Sequence, residues 1–208
     1  MLRRIAALVF VGLLATATAA RAASFTFNLT QDACSGSCGT APFGTVTITD
    51  VSGGVLVTET LKAGENYAGT GAGEALEFNF TGTFNSSTVT GLTSGFAIGP
   101  SPATASAFGT FLDSITCTTC QGGNGPTGPL SFTILGGTTS MFIANSGGYY
   151  FASDIFGVNG NTGNVATLGS TGPTPNPTPE PSSLMLLGTG IVGAAAMMRR
   201  RLGLVSNL

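Results

Sequence analysis

The sequence predicts an all-β protein, an antiparallel β-sandwich of the jelly-roll kind, followed by one C-terminal transmembrane helix. Two observations predict the β-domain: apolar and polar residues alternate with a period of two, and glycine, asparagine and proline separate the alternating segments. No window of the central region shows the 3.6-residue period of an amphipathic helix. An uncharged apolar run near the C-terminus, closed by three arginines, predicts the membrane helix.

The N-terminal segment is typical of a secretory signal peptide, which we place at residues 1–22. Two arginines precede the apolar stretch Ile5–Ala15, and Ala20–Ala22 supplies small residues at the positions that signal peptidase reads. We expect cleavage before Ala23, with Ala19 as the rival position. The alternative is a retained N-terminal anchor, which would leave the small residues without a purpose.

Residues 23–170 are expected to form the β-domain, since about 150 residues suffice for one domain with its own core. The sequence Gly53-Gly54 predicts a hairpin from Thr45 to Leu61, because glycine reaches positive φ without strain. Alternating segments lie at residues 24–29, 45–49, 76–81 and 130–134, with weaker ones at 96–98 and 149–151.

The charges of the β-domain are almost all negative. Lys62 is its single basic residue, because the other six of the chain lie in the two terminal segments, and the domain has a formal net charge of −7. Nucleic-acid affinity comes largely from Lys and Arg that neutralise phosphates, so we predict no nucleic-acid partner. The eight acids are Asp32, Asp50, Glu59, Glu65, Glu74, Glu77, Asp113 and Asp154.

Four cysteines form two local pairs, Cys34 with Cys38 and Cys117 with Cys120. In an exported protein an even number of cysteines favours disulfides, and three connectivities are open: two local bridges, or either of two crossed sets. A zinc site of four cysteines and a redox-active Cys117-Thr-Thr-Cys120 motif are the alternatives.

The chain contains no histidine, which excludes Ser-His-Asp and Cys-His nucleophile systems and the HExxH zinc proteases. A glycosidase-type carboxylate pair remains, with Glu59, Glu74 and Glu77 as its candidates. Glu77 falls on the polar side of an alternating segment, where we expect a solvated surface acid. We therefore predict no catalytic residue and a protein that is not an enzyme.

The stretch Asp154–Asn164 places oxygen ligands near glycines but lacks EF-hand spacing, so we expect an Asn/Gly turn and predict no metal or cofactor. A glycan-binding platform needs exposed aromatic rings. The chain has no tryptophan, and its phenylalanines fall mostly on core positions, which leaves Tyr67, Tyr149 and Tyr150. Three N-glycosylation sequons are interpreted as chance matches: Asn28, Asn79 and Asn85.

The C-terminal region has three parts. A Pro/Thr-rich linker at residues 171–181 ends in Pro179-Glu180-Pro181, and its alternating prolines predict an extended backbone. Residues 182–198 carry no charge, and as a helix they would span about 26 Å. Residues 199–208 begin with Arg199, Arg200 and Arg201, which favour a cytoplasmic location for this basic tail.

This arrangement resembles the PEP-CTERM signals of exported Gram-negative proteins, in which a Pro-Glu-Pro motif, a transmembrane helix and an arginine-rich end are recognised by a membrane protease-transpeptidase called exosortase. The resemblance covers residues 173–203. It implies Pro179, Glu180 and Pro181 as the sorting motif and the three arginines as the stop signal. An ordinary single-pass tail would have the same helix and arginines but would not explain a glutamate between two prolines.

The resemblance further implies an exported precursor that is anchored in the inner membrane, faces the periplasm and is processed by signal peptidase and exosortase. It would then reach the cell surface or the extracellular matrix. We expect a non-enzymatic surface or exopolysaccharide-matrix protein, with exopolysaccharide as a candidate partner. The alternatives are a small carboxylate-dependent glycan hydrolase or lyase, and a glycan-binding module.

Overall fold

The computed structural model describes residues 22–71, 73–120, 122, 125–168, 174–175 and 190. Contacts group Ala22–Pro177 into one unit. Apart from single positions, the predicted signal peptide, the membrane helix at 182–198 and the basic tail at 199–208 lie outside the described residues. Among the residues that are described, no helix is both long and apolar enough to cross a membrane.

The domain is built from short strands and one 3-10 turn, Thr139–Met141, which confirms the predicted all-β class. The strands are β1 Ser24–Leu29, β2 Gln31–Asp32, β3 Gly44–Val51, β4 Gly54–Leu61, β5 Asn66–Tyr67, β6 Leu76–Phe80, β7 Val89–Thr90, β8 Phe96–Ile98, β9 Ala103–Ala105, β10 Gly109–Phe111, β11 Asp113–Cys117, β12 Leu130–Leu135, β13 Phe142–Ile143, β14 Tyr149–Phe156, β15 Thr162–Leu168 and β16 Thr174–Pro175.

These strands form two large sheets in which the paired strands are antiparallel. Sheet A has the order β16-β1-β3-β4-β12-β7. Sheet B has the order β2-β15-β14-β6-β11-β8, and β5 and β13 add to β14 and β6.

One hydrophobic cluster lies between the two sheets. The rings of Phe27 on β1 and Phe151 on β14 are 5.0 Å apart, and those of Phe132 on β12 and Phe78 on β6 are 6.0 Å apart. The alternating positions that predicted the strands point into this cluster, because successive side chains of a strand leave opposite faces.

The predicted hairpin is confirmed as β3 and β4, which pair along their whole length. Gly53 has φ +85°, which glycine adopts without strain. Neighbouring Gly54 lies so close to sheet A that a Cβ there would be 2.3 Å from the carbonyl oxygen of Ile134. Both glycines of the turn are therefore required, for different reasons.

A small two-stranded hairpin, β9 and β10, packs on the outside of sheet B. We call residues 103–111 the cover hairpin. Its Ala105, Phe108 and Phe111 form a second buried cluster with Ala152 of β14 and Ala166 of β15. The alternation pattern did not predict this element, because alanine, threonine and glycine dominate its strands.

Two residues of the predicted linker, Thr174 and Pro175, pair with β1. Thr174 lies opposite Thr26, and Pro175 lies opposite Phe25 at the edge of sheet A. A strand edge offers free backbone groups to such a neighbouring extended segment.

Candidate functional site

The residues of the predicted sorting signal, Pro179-Glu180-Pro181 and Arg199–Arg201, lie outside the described residues. Within the β-domain the candidate groups are the carboxylates, the disulfides and the tyrosines.

Glu59 lies in the interior between the two sheets. It is on β4 between Val46 of β3 and Leu130 of β12, all pointing inward, and its side chain is fully buried. Burial raises the pKa of Glu59 to about 8, although the hydroxyls of Ser153 and Tyr67 oppose the shift. The carboxyl group is therefore mainly protonated at neutral pH.

Tyr67 holds Glu59 in place. Its hydroxyl donates a hydrogen bond of 3.1 Å to Glu59 Oε2, while Glu59 Oε1 has no hydrogen-bond partner. The Tyr67 ring meets Phe96 edge to face at 5.0 Å. Tyr67 was one of three tyrosines left as candidates for sugar stacking, and it is fully buried, so its ring is not available to a ligand.

The segment after the second disulfide covers Tyr67. The amide N–H of Tyr67 donates to the carbonyl oxygen of Pro126 at 3.0 Å. Gly125 lies against the same residue, and a Cβ at Gly125 would be 2.0 Å from the Tyr67 carbonyl oxygen. This close approach requires glycine. Gly125 and Pro126 therefore pack against Tyr67, the residue that bonds to Glu59.

Glu77 is also buried, which contradicts the prediction of a solvated surface acid. It lies on the outer side of sheet B, with Ala152 and Ser114 opposite it on the neighbouring strands. Neither carboxyl oxygen has a hydrogen-bond partner. Burial raises the pKa of Glu77 to about 8; the Glu74 amide lies near and opposes this, and the charges of Glu74 and Asp154 reinforce it.

The outer side of sheet B is buried because polar side chains attach other segments to it. Asn164 Oδ1 accepts a hydrogen bond of 3.1 Å from the Ser106 amide in the cover hairpin. Asn79 Oδ1 accepts one of 2.7 Å from the Leu112 amide, just after that hairpin. These outward polar residues therefore hold a covering layer instead of meeting water.

Asp154 has the same role for the loop before β6. Its carboxylate accepts a hydrogen bond of 2.8 Å from the Thr70 amide and a second from the Thr70 hydroxyl at 3.1 Å. Burial raises its pKa, and these hydrogen bonds oppose the shift. The turn predicted between Asp154 and Asn164 is confirmed, since the Gly160 amide bonds to the Gly157 carbonyl oxygen at 2.9 Å.

Glu59 and Glu77 do not share a cleft in the described structure. The third candidate, Glu74, is half-buried before β6 and lies near enough to Glu77 and Asp154 for its charge to raise the pKa of both. Glu59 faces the interior from sheet A, whereas Glu77 points away from that interior on sheet B. A cavity of about 240 Å³ is lined mainly by Phe25, Phe27, Phe142 and Tyr150, and its described lining contains no carboxylate.

The cysteines pair locally. Cys34 is bonded to Cys38 and Cys117 to Cys120, each with a Cα–Cα distance of 5.5 Å. Asp32 braces the first bridge: its carboxylate accepts hydrogen bonds from the amides of Cys34 and Cys38 at 2.9 and 3.1 Å. A carboxylate oxygen of Asp32 and the two sulfurs lie within 4.8 Å of one another, but sulfurs joined in a disulfide offer no thiolate to a metal.

The remaining tyrosines are half-buried and packed on the domain. Tyr150 lies against Phe27 with ring centroids 5.2 Å apart, and Tyr149 lies against Phe108 at 5.0 Å. Asn28 and Asn79 lie in strands, as the interpretation of their sequons required. Asn85 lies in an exposed turn, where its side chain accepts a hydrogen bond of 2.9 Å from the Ser87 amide.

Two buried acids carried no role in the sequence analysis. Asp113 accepts a hydrogen bond of 3.1 Å from the Phe80 amide. Glu65 is buried without a hydrogen-bond partner, and burial raises its pKa to about 7 while the charge of Lys62 opposes this. Their sequence signal is weak, because neither belongs to an alternating segment.

The comparisons with known proteins concern the C-terminal region. Residues 177–201 match the PEP-CTERM protein-sorting motif, which confirms the resemblance inferred from the Pro-Glu-Pro tripeptide, the apolar run and the arginines. No curated protein and no solved structure is significantly similar to the chain. The motif indicates an exported protein that is sorted by an exosortase at the membrane on its way to the cell surface.

Proposed function

We propose that this chain is the precursor of a non-enzymatic cell-surface or exopolysaccharide-matrix protein, which an exosortase processes at Pro179-Glu180-Pro181. The observation that carries the proposal is the sorting motif at residues 177–201. In this proposal signal peptidase removes residues 1–22, and the helix at 182–198 holds the precursor in the inner membrane with its β-domain in the periplasm.

The part that reaches the surface is then the β-domain, a jelly-roll-like β-sandwich. The placement of its acids supports a role without catalysis. A glycosidase needs two carboxyl groups that face one substrate site. Glu59 and Glu77 instead lie on opposite sides of sheet B, and both are fully buried. Glu74 lies near Glu77, but its neighbour in this pair is buried and does not face a substrate.

The proposal is tested by the variant Glu180→Ala in a bacterium that carries an exosortase. The hydrophobic run and the arginines are unchanged, so the precursor should still be exported and inserted while its C-terminal processing is lost. Thr178→Ala is the matched control in the same linker and should be processed normally. Immunoblots of membrane, surface and medium fractions distinguish the forms. Normal processing of Glu180→Ala would refute recognition through this motif.

A second variant tests the stop signal. Replacing Arg199, Arg200 and Arg201 by glutamine removes the cations that favour a cytoplasmic C-terminus. We expect weaker membrane retention or a mixed orientation, measured by protease accessibility of a C-terminal tag. A tag that stays fully protected would contradict this role of the arginines.

A further inference from the structure

One edge of sheet A is formed by β1 and by the short strand β16 that pairs with it. Thr174 lies opposite Thr26, and Pro175 lies opposite Phe25. β1 has six residues and β16 has two, so β1 is long enough to pair with a longer strand. A strand edge of this kind is a template for an added extended segment.

The backbone groups of β1 alternate between its two neighbours. The Asp50 amide donates to the Ala23 carbonyl oxygen at 2.8 Å, so the backbone groups of Ala23 face β3. Successive residues of a strand direct these groups to opposite sides, so those of Thr26, three residues further on, face β16. Thr26 and Thr174 therefore form a hydrogen-bonding pair, and the backbone groups of Pro175 face away from β1.

The sequence of the linker has the same period of two. Pro173, Pro175 and Pro177 alternate with Thr174 and Asn176. In an edge strand that continues β16, each of these prolines takes a position whose backbone groups face away from β1, where a missing N–H costs no hydrogen bond. The two residues between them direct their N–H and C=O groups to β1. The alternation of the linker therefore suits a strand over residues 173–177.

The cavity described above lies beside the same edge, and we call it the aromatic cavity. It has a volume of about 240 Å³, and two of the rings that line it, Phe25 and Phe27, belong to β1 itself. The register places Pro175 opposite Phe25, and a continued strand places residue 173 opposite Phe27. Side chains at directly opposed positions leave the same face of a sheet, with Cβ atoms about 5 Å apart. The prolines of the linker thus take register positions on the face that carries the cavity.

A proline-rich segment has the chemistry that this surface accepts. Grooves lined by aromatic rings bind such segments, because proline rings are apolar and their fixed φ leaves little conformational entropy to lose. The segment is part of the same chain, and β16 already brings it to the edge, so its effective concentration there is high. A docked linker also closes the edge of the sheet to other copies of the protein.

We propose that the edge of β1 and the aromatic cavity together form the docking site for this chain's own linker, in which residues 173–177 make an edge strand and place their prolines against the aromatic lining. Docking ends at residue 177, because that position is opposite Ala23, where the mature chain is expected to begin. The motif Pro179-Glu180-Pro181 begins two residues further on and is left accessible to a processing enzyme.

A first experiment tests the register by disulfide trapping in the full-length chain in detergent. Ser24→Cys/Asn176→Cys places cysteines opposite each other in the continued register. Hydrogen-bonded pairs have Cα atoms about 5.5 Å apart, which suits a disulfide. The matched control is Thr58→Cys/Asn176→Cys, because Thr58 on β4 is three strands from the linker, roughly 14 Å away. Under mild oxidation the first pair should crosslink within one chain at least tenfold faster.

A second experiment tests the hydrogen bonds to β1. Thr174→Pro removes an N–H that faces β1, so the Thr26 amide should exchange with deuterium at least tenfold faster than in the natural protein. Thr171→Pro is the matched control, since position 171 has the same backbone direction as the natural prolines, and it should leave this exchange unchanged. Fragmentation mass spectrometry resolves the exchange at single amides.

A third experiment tests the aromatic cavity. Pro173→Ser/Pro175→Ser removes two rings but keeps every N–H and C=O group that faces β1, so the Thr26 amide should exchange several-fold faster. Pro179→Ser/Pro181→Ser makes the same change beyond the docked strand and should have no effect. Both variants leave the core unchanged, and the melting temperature of the domain checks this.

Equal crosslinking of the two cysteine pairs would overturn the proposal, as would unchanged exchange in Thr174→Pro. Crosslinked dimers in place of crosslinked monomers would show that the edge takes the linker of another copy, and the assignment to the chain's own linker would be wrong. Unchanged exchange in Pro173→Ser/Pro175→Ser would exclude the cavity from the site. These measurements use the unprocessed chain, so their outcome is independent of whether an exosortase cuts the tail.

Discussion

On both sheets polar side chains alternate with core residues, but the outer face of sheet A is only partly buried whereas the outer face of sheet B is covered. On sheet A, Thr47 and Thr58 alternate with core residues and are half-buried, and the outward positions of β3 and β4 carry no charge. On sheet B, Glu77 and Asn79 alternate with core residues in the same way, but every residue of β6 is buried. A period of two identifies which side chains leave the central core, but it does not decide whether they reach water.

The comparison changes the interpretation of the domain's charge. Five of its eight acids are buried. The pKa values of Glu59 and Glu77 are raised to about 8, so both are mainly neutral at pH 7. Removing these two charges from the formal −7 leaves about −5. The acidity inferred from the sequence is therefore largely a property of the interior.

The largest difference between the faces should appear when each receives a lysine. Ala166 on β15 is fully buried beneath the cover hairpin, and Thr58 on β4 is half-buried on the outer face of sheet A. Ala166→Lys should lower the free energy of unfolding by at least about 4 kcal/mol, because it overpacks the cluster and buries a cation. Thr58→Lys should change it by less than about 1 kcal/mol. Urea unfolding measures both, and similar losses would remove the distinction between the faces.

The buried acids of the covered side and the core predict a pH dependence. Because burial raises the folded pKa of Glu59 and Glu77 from 4.5 to about 8, their contribution to stability is complete below pH 4.5 and is lost as the pH rises towards 8. The free energy of unfolding should fall by about 3 kcal/mol or more between pH 5 and pH 8.

Glu77→Gln isolates one of these groups. Glutamine cannot ionise, so the variant should gain stability relative to the natural protein as the pH rises through this window. Urea midpoints at pH 5, 6.5 and 8 give the difference. A constant difference between the two proteins would show that Glu77 is not buried as a neutral acid.

The sequence predicted the elements that pair large apolar side chains with a clear alternation. The hairpin from Thr45 to Leu61, the strands at 24–29, 76–81 and 130–134, and the all-β class are confirmed. The cover hairpin was missed because small residues dominate its strands. The burial of Glu77 was missed for another reason, since the segments that cover the outer side of sheet B are attached by single hydrogen bonds between residues far apart in the sequence.

The residues of the candidate sites could likewise be predicted only in part. The tail could be identified from the sequence, because a sorting signal is a linear arrangement of residue types. The partners of Tyr67 and Asp154 could not, since Glu59 is 8 residues away and Thr70 is 84 residues away along the chain. Such contacts depend on strand order, which periodicity does not contain.

The hydrogen bonds that hold the cover hairpin should contribute a smaller, local effect. Asn164→Ala removes the acceptor for the Ser106 amide. We expect a loss of about 1 to 2 kcal/mol, together with faster proteolysis within residues 103–111. Thr104→Ala, exposed on the same hairpin, is the control and should change neither quantity. Unchanged proteolysis of Asn164→Ala would indicate that the apolar cluster alone holds the cover.

The smallest effect is expected on the outer face of sheet A. Thr58→Val removes one hydrogen bond of 3.1 Å to the Ser131 hydroxyl but keeps the branched shape that suits a strand. The free energy of unfolding should change by less than about 0.5 kcal/mol. A loss above about 1.5 kcal/mol would mean that this hydrogen bond between β4 and β12 contributes substantially to the fold.

The central claim is that the chain is a precursor and that its β-domain is the part that reaches the surroundings of the cell. The non-reduced intact mass of the surface-released protein tests this most directly. The account predicts a chain that begins near Ala23 and ends near Pro181, lighter by about 4 Da than its reduced form because two disulfides are present. A mass that retains residues 182–208 would contradict the account and would make the protein a permanent membrane component.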